Sequence, residues 1–197
     1  HGNVSASGII NGKLGTTDTN VDANHYAVIQ TAVDTVPFVS NVFTVNPSTE
    51  TVSFNKAEID TRPFAISSGT DGNHESGDVV FFGGTTSMTA GAIYHYKSDG
   101  TWELADADDN TKSDGLLGVA LGAASDTNGV LLRGMVTLDH DPGAVGDPIY
   151  LTTTAGDASA TAPSGNGNIV RIIGYCLNAS NGQIWFNPDS TFVEVNA

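Results

Sequence analysis

Cysteine is nearly absent, with one residue, Cys176, in a chain of 197. A single thiol excludes an internal disulfide framework and any thiolate cluster for a metal. Basic residues are the next shortage. Seven Lys and Arg stand against 22 Asp and Glu, a formal charge of −15, which repels nucleic-acid backbones and anionic membranes, so neither is an expected partner. Long apolar runs are missing as well: no stretch nears the roughly 20 residues that cross a bilayer. The start, His1-Gly-Asn-Val-Ser5, has neither the basic nor the apolar region of a leader peptide. A soluble chain without membrane insertion is the expectation. A first residue of His rather than Met is what a processed product or a piece of a longer polypeptide would show.

Helix-forming stretches are scarce too. Only 15% of residues are charged and 23 are Gly, a balance that favours strands and tight turns. One segment has helix-like spacing, residues 24–36, with Tyr26, Ile29, Val33 and Val36 ahead of Pro37. Its β-branched content weighs against a helix.

What the chain has in quantity is a pattern used twice. Gly91-Ala-Ile-Tyr94, Asp99-Gly100, Leu117-Gly-Val-Ala-Leu121 and Asn128-Gly129 recur as Gly146-Asp-Pro-Ile-Tyr150, Ala155-Gly156, Ile173-Gly-Tyr-Cys-Leu177 and Asn181-Gly182, at an offset of about 55 residues. Each copy has apolar runs bounded by glycine and ends on an Asn-Gly hairpin signal, as expected of a small β unit that packs on its twin. Cys176 falls where the first copy has Ala120, so its expected part is that of a small buried apolar residue. The copies share glycines, apolar runs and Asn-Gly turns, but not the charged or aromatic residues that a duplicated active site would need to keep. Repetition of this kind builds architecture, and leaves specificity to the loops.

The rest of the chain divides accordingly. Residues 1–75 read as an extended, shaft-like segment with a hairpin around the turn Asn46-Pro-Ser-Thr49, a further strand over 62–67, and a Gly-rich linker over 68–77. Residues 76–197 read as a mainly β head, a barrel or sandwich built from the two similar units. Its predicted strands are 78–82, 93–97, 102–105, 118–122, 130–138, 149–153, 158–162, 169–178, 183–186 and 191–195. The apolar run Leu116-Leu-Gly-Val-Ala-Leu121 calls for burial on both faces, which packing against copies of the same chain would supply.

Several segments carry a family likeness. Asp78-Val-Val-Phe-Phe-Gly-Gly-Thr-Thr-Ser-Met88, Gly91-Ala-Ile-Tyr-His-Tyr-Lys97, Asp114-Gly-Leu-Leu-Gly-Val-Ala-Leu-Gly122, Gly134-Met-Val136 and Ile184-Trp-Phe-Asn-Pro188 resemble virion fibre proteins of tailed marine phages, especially cyanophages. Phe43-Thr-Val-Asn-Pro-Ser-Thr-Glu-Thr-Val-Ser-Phe54 and Gly2-Asn-Val-Ser-Ala-Ser-Gly8 look like their shaft segments. The resemblance implies a structural protein of the virion, a homotrimer that meets other virion proteins and, at its distal end, a host cell-surface glycan. It implies no catalytic residues and no cofactor. The duplicated unit also resembles capsid decoration domains, which makes a shell-binding head protein the alternative.

Candidate chemistry is sparse. Glu103-Leu-Ala-Asp-Ala-Asp-Asp-Asn110 gathers carboxylates as a hard cation requires, with Asp106, Asp108 and Asp109 as the candidate ligands. The EF-hand pattern fails, because Thr111 and Leu117 stand where the turn glycine and the bidentate acid belong, so a solvated acidic loop is the favoured reading. Asp139-His-Asp-Pro142 sets carboxylates around an imidazole, which makes His140 a second metal candidate. No nucleophile motif accompanies it, and an enzyme is not expected. Tyr94, Tyr96 and Trp102 are candidates for a glycan-binding surface, because sugar C–H faces stack on rings. The competing expectation is that such aromatics fill the core.

Overall fold

The computed structural model describes residues 63–65, 69–74 and 77–196, together with the backbone of three strands nearer the N-terminus. The chain forms two compact units, 1–61 and 62–197. In the first, β1 (His25–Ile29), β2 (Phe38–Asn46) and β3 (Thr51–Phe54) make an antiparallel sheet in the order β1-β2-β3. The expected hairpin is present, with Val45 opposite Val52. The helical spacing over 24–36 does not produce a helix at its start. Residues 25–29 pair instead with β2, from His25 opposite Val45 to Ile29 opposite Phe38, since β-branched residues beside a strand edge gain more from the ladder than from a marginal helix. Residues 30–36 and most of the shaft-like segment lie outside the described residues.

The second unit is mainly β. The strand expected over 62–67 is not formed at residues 63–65, where Phe64 meets the Trp185 ring edge on at 5.0 Å. The remaining elements are β4 (Gly77–Val80), β5 (Ile93–Tyr96), β6 (Trp102–Leu104), β7 (Leu117–Ala120), the single helical turn α1 (Ser125–Asn128), β8 (Val130–Thr137), β9 (Pro148–Leu151), β10 (Ala158–Ser159), β11 (Ile169–Val170), β12 (Ile172–Asn178), β13 (Gln183–Phe186) and β14 (Val193–Glu194). They follow the alternation and turn signals of the sequence, except that the single strand expected over 169–178 divides at Arg171 into β11, which pairs with β14, and β12 of the main sheet.

One sheet carries most of them, in the order β10-β9-β12-β13-β8-β7-β5-β6, and it curls into a half-barrel. β4 lies along the other edge of β8, with Val80 opposite Val130 and Gly77 opposite Gly134. Read from its centre outward, the order is the same in both directions: β8-β7-β5-β6 on one side and β13-β12-β9-β10 on the other. Matching backbone bonds lie at matching places. Gly91 N–H donates to the Ala120 carbonyl at 2.9 Å, and Gly146 N–H to the Cys176 carbonyl at 2.9 Å. The units differ at their last turn. Asn181-Gly182 closes a short connection between β12 and β13, whereas Asn128 ends α1 and Gly129, at φ 85°, terminates it.

Packing explains the apolar runs. Leu117 and Val119 of β7 point into a core that joins Ile93, Leu131, Ile149, Ile173, Ile184 and Phe186, while Ala120 points into a second cluster with Tyr94, Trp102 and Val130. Both faces of β7 are therefore buried inside this unit, and no second copy is needed to cover them. The open side of the curl is bridged by single bonds. Ala107 N–H donates to the Thr152 carbonyl at 2.8 Å, and Gly156 N–H to the Ala105 carbonyl at 2.7 Å.

Candidate functional site

The β5–β6 hairpin sets His95 opposite Glu103 across the ladder. That register brings His95 Nδ1 to 3.3 Å from Glu103 Oε1, while Asp114 Oδ1 stands 3.3 Å from Nε2 on the far side of the ring. A buried imidazole between two carboxylates forms the floor of a cleft of about 420 Å³, walled by Tyr96, Lys97 and Asp99. The rim is locally built. Lys97 Nζ contacts Asp99 Oδ2 at 2.9 Å, and Asp99 Oδ1 accepts from Thr101 N–H at 3.0 Å and from its hydroxyl at 2.7 Å. These bonds, Lys97 first, hold the Asp99 carboxyl down at about 2.

Asp114 is held from a distance. Arg171, 3% exposed, donates to the carbonyls of Ser113 at 2.7 Å and Gly115 at 3.0 Å, the residues on either side of Asp114. Its Nε and Nη2 both reach the Asp189 carbonyl, at 3.0 and 2.7 Å. Burial pulls its pKa down, and Asp189 and Asp114 oppose that shift. The fork geometry of a guanidinium suits several carbonyls at once. Sequence reasoning missed Arg171, because nothing local marks an arginine that will be buried by loops far away in the chain.

The aromatic candidates separate. Tyr94 and Trp102 are buried, at 6% and 3% exposed. The Tyr94 hydroxyl accepts from Thr89 N–H at 2.9 Å, and Trp102 Nε1–H donates to the Phe82 carbonyl at 2.9 Å. Both are core side chains rather than a surface platform, and the reason is the β5–β6 pairing that turns them inward. Tyr96 is half-buried and shares their face of the hairpin: its ring packs at 4.9 Å from Trp102 and 5.0 Å from Phe82, while its residue borders the cleft.

The acidic segment serves its own turns. Asp106 Oδ1 accepts from Asp108 N–H at 3.2 Å, and burial raises the Asp106 pKa. Asp109 caps the 3₁₀ turn Asn110–Lys112, accepting from Thr111 N–H at 3.0 Å and contacting Lys112 Nζ at 3.3 Å. Among the described residues, Asp106, Asp108 and Asp109 do not converge as metal ligands, whereas His140 does have converging partners: Asp139 and Asp157. The sequence pointed to Asp139 and Asp141 around that ring, and the fold replaces Asp141 with a residue from the β9–β10 turn.

No protein-family model, curated protein or solved structure matches the chain.

Proposed function

We propose that this chain is a structural module of a virion, the distal part of a homotrimeric fibre whose β head is displayed on the particle and presents the His95 cleft to a host-surface glycan. The observation that carries the reading is that a β framework is repeated while its cleft residues are not: His95 of β5 corresponds to Leu151 of β9. A doubled scaffold bearing one differentiated polar cleft suits display better than turnover. Carboxylates and an ammonium in an open cleft offer hydrogen-bond partners for a hydroxyl-rich ligand. Ile172 and Tyr175 on β12 and Phe81 after β4 leave large apolar groups at the surface of the unit, as a subunit contact would use. The sequence likeness to phage fibre proteins points the same way, and no catalytic step is assigned.

Light scattering after size exclusion tests the assembly. A mass three times 20.3 kDa is expected, and a monomer at high concentration overturns the trimer. A glycan array tests the cleft, with binding expected for the native chain and lost in Lys97→Ala, which removes a cleft-rim group that is partly exposed. Labelling the chain in intact particles tests its place: tail labelling is expected, and label between capsomers overturns the fibre reading in favour of a decoration protein.

A further inference from the structure

We propose that Asp139, His140 and Asp157 form a binding site for a divalent transition-metal ion such as Zn²⁺ or Mn²⁺, independent of the fibre reading. Among the described residues they are the one group of three His, Cys, Asp or Glu side chains whose ligand atoms all lie within 4.8 Å of one another. Asp139 and His140 follow β8, and Asp157 precedes β10, so the site joins the two repeated units. His140 Nδ1 is 2.7 Å from Asp139 Oδ1 and 3.8 Å from Asp157 Oδ1. Ligands bound at about 2.1 Å to one ion stand roughly 3 to 3.5 Å apart, so small side-chain rotations bring all three onto it.

The second nitrogen of the ring supports the assignment. His140 Nε2 faces both backbone groups of one residue, 2.9 Å from Ala158 N and 3.0 Å from Ala158 O. The imidazole can therefore keep its proton on either nitrogen without losing a partner. In the metal-free form Nδ1–H donates to Asp139 and Nε2 accepts from Ala158 N–H. With an ion bound, the Nδ1 lone pair ligates and Nε2–H donates to the Ala158 carbonyl, the outer contact that ligating histidines habitually make. The proton moves within the ring, and none has to be gained or released. One imidazole nitrogen and two carboxylate oxygens suit Zn²⁺ or Mn²⁺ better than Ca²⁺, which takes oxygen alone. Asp139 and His140 also line a cavity of about 210 Å³ together with Asp71, Asp141, Ser180 and Asn181, which gives an ion a route of entry to those two ligands.

Zn²⁺ and Mn²⁺ alone, added to the full chain, are the probes. Calorimetry is expected to find a site that Asp157→Asn and Asp139→Asn each weaken tenfold or more, with the metal-free melting temperature of at least one variant unchanged. Nitrogen NMR of the His140 ring is expected to show Nδ1 losing its proton as Zn²⁺ is added, a signature that ions bound at other histidines would not produce. No binding at millimolar metal, an affinity in both variants equal to that of the native chain, or a His140 ring that keeps its Nδ1 proton would each overturn the site.

Discussion

Arg171 Nη1 donates to the Ser113 carbonyl at 2.7 Å, a bond between residues 58 apart in sequence with both partners buried. It ties the loop that carries Asp114 to the start of β12, and so fixes one wall of the His95 cleft. A buried cation satisfied only by carbonyls is costly to remove, because its acceptors are left without donors. Arg171→Met is expected to lose about 2 to 4 kcal/mol in urea denaturation. Arg171→Lys should recover less than half, since an ammonium cannot span three carbonyls. A loss under about 0.5 kcal/mol would show that the carbonyls have other donors.

Gly118 and Gly174 occupy matching places in β7 and β12, and they differ in what crowds them. A Cβ at Gly174 would overlap the Trp185 carbonyl oxygen, which the β12–β13 ladder holds in place. A Cβ at Gly118 would meet mainly Val130 Cγ1, a side-chain atom, with the nearest backbone atom, the Leu131 carbonyl oxygen, at 3.1 Å. Gly146 has open space around it but φ of 90°. Thermal melts of the three Ala variants are expected to rank Gly174 as most damaging, at about 3 kcal/mol or more, then Gly118. Gly146→Ala should cost about 1 kcal/mol, the left-handed penalty alone. Equal losses would contradict this ranking.

Asp99 and Asp106 lie close in sequence and shift in opposite directions. Bonds from Lys97 and Thr101 hold Asp99 at about 2, below the ordinary 3.8, while burial raises Asp106. Because the folded value of Asp99 is depressed, its contribution to the 97–101 turn is present above the ordinary carboxylate range and is lost as pH falls through about 2. A carbon-detected carboxyl titration should see Asp106 protonate first and Asp99 much later. Asp99 titrating at or above the ordinary value would refute the turn geometry.

Cys176 is 1% exposed and its Sγ lies 3.3 Å from the Gly143 carbonyl. Burial raises its thiol pKa, which suppresses the reactive thiolate. A disulfide reagent should leave the folded chain unmodified and react once urea unfolds it. Cys176→Ala, which restores the residue of the matching position Ala120, should cost about 1 kcal/mol or less. Rapid labelling of the native chain would rule out the buried placement.

The turns and strands were readable in the sequence because they depend on neighbours. Alternation over Ile149-Tyr150-Leu151, and Asn-Gly before Gln183, state their local geometry outright. The start of the 24–36 segment follows its β-branched content and not its helical spacing, because a spacing of four apolar residues cannot report that β2 offers an edge at Val45. Tyr94 and Trp102 took the core placement that the sequence set against a glycan surface, since an aromatic on a strand belongs to the core or the surface according to what packs on that face. The carboxylate run around Asp106 looked richer in chemistry than it is, because its charges are used in local caps.

By itself the sequence determined the β class, the acidic charge, the two-fold repetition and the inert cysteine, all of which follow from composition and short-range period. Only the tertiary structure decided that Arg171 would brace Asp114, that Glu103 and Asp114 would flank His95, and that Asp157 rather than Asp141 would join His140. Those pairings depend on how the strands close into one curled sheet, and hydrogen bonds reach only about 3 Å. Side chains separated by many residues come within that reach where the ladder's register places them, and register is a property of the assembled sheet.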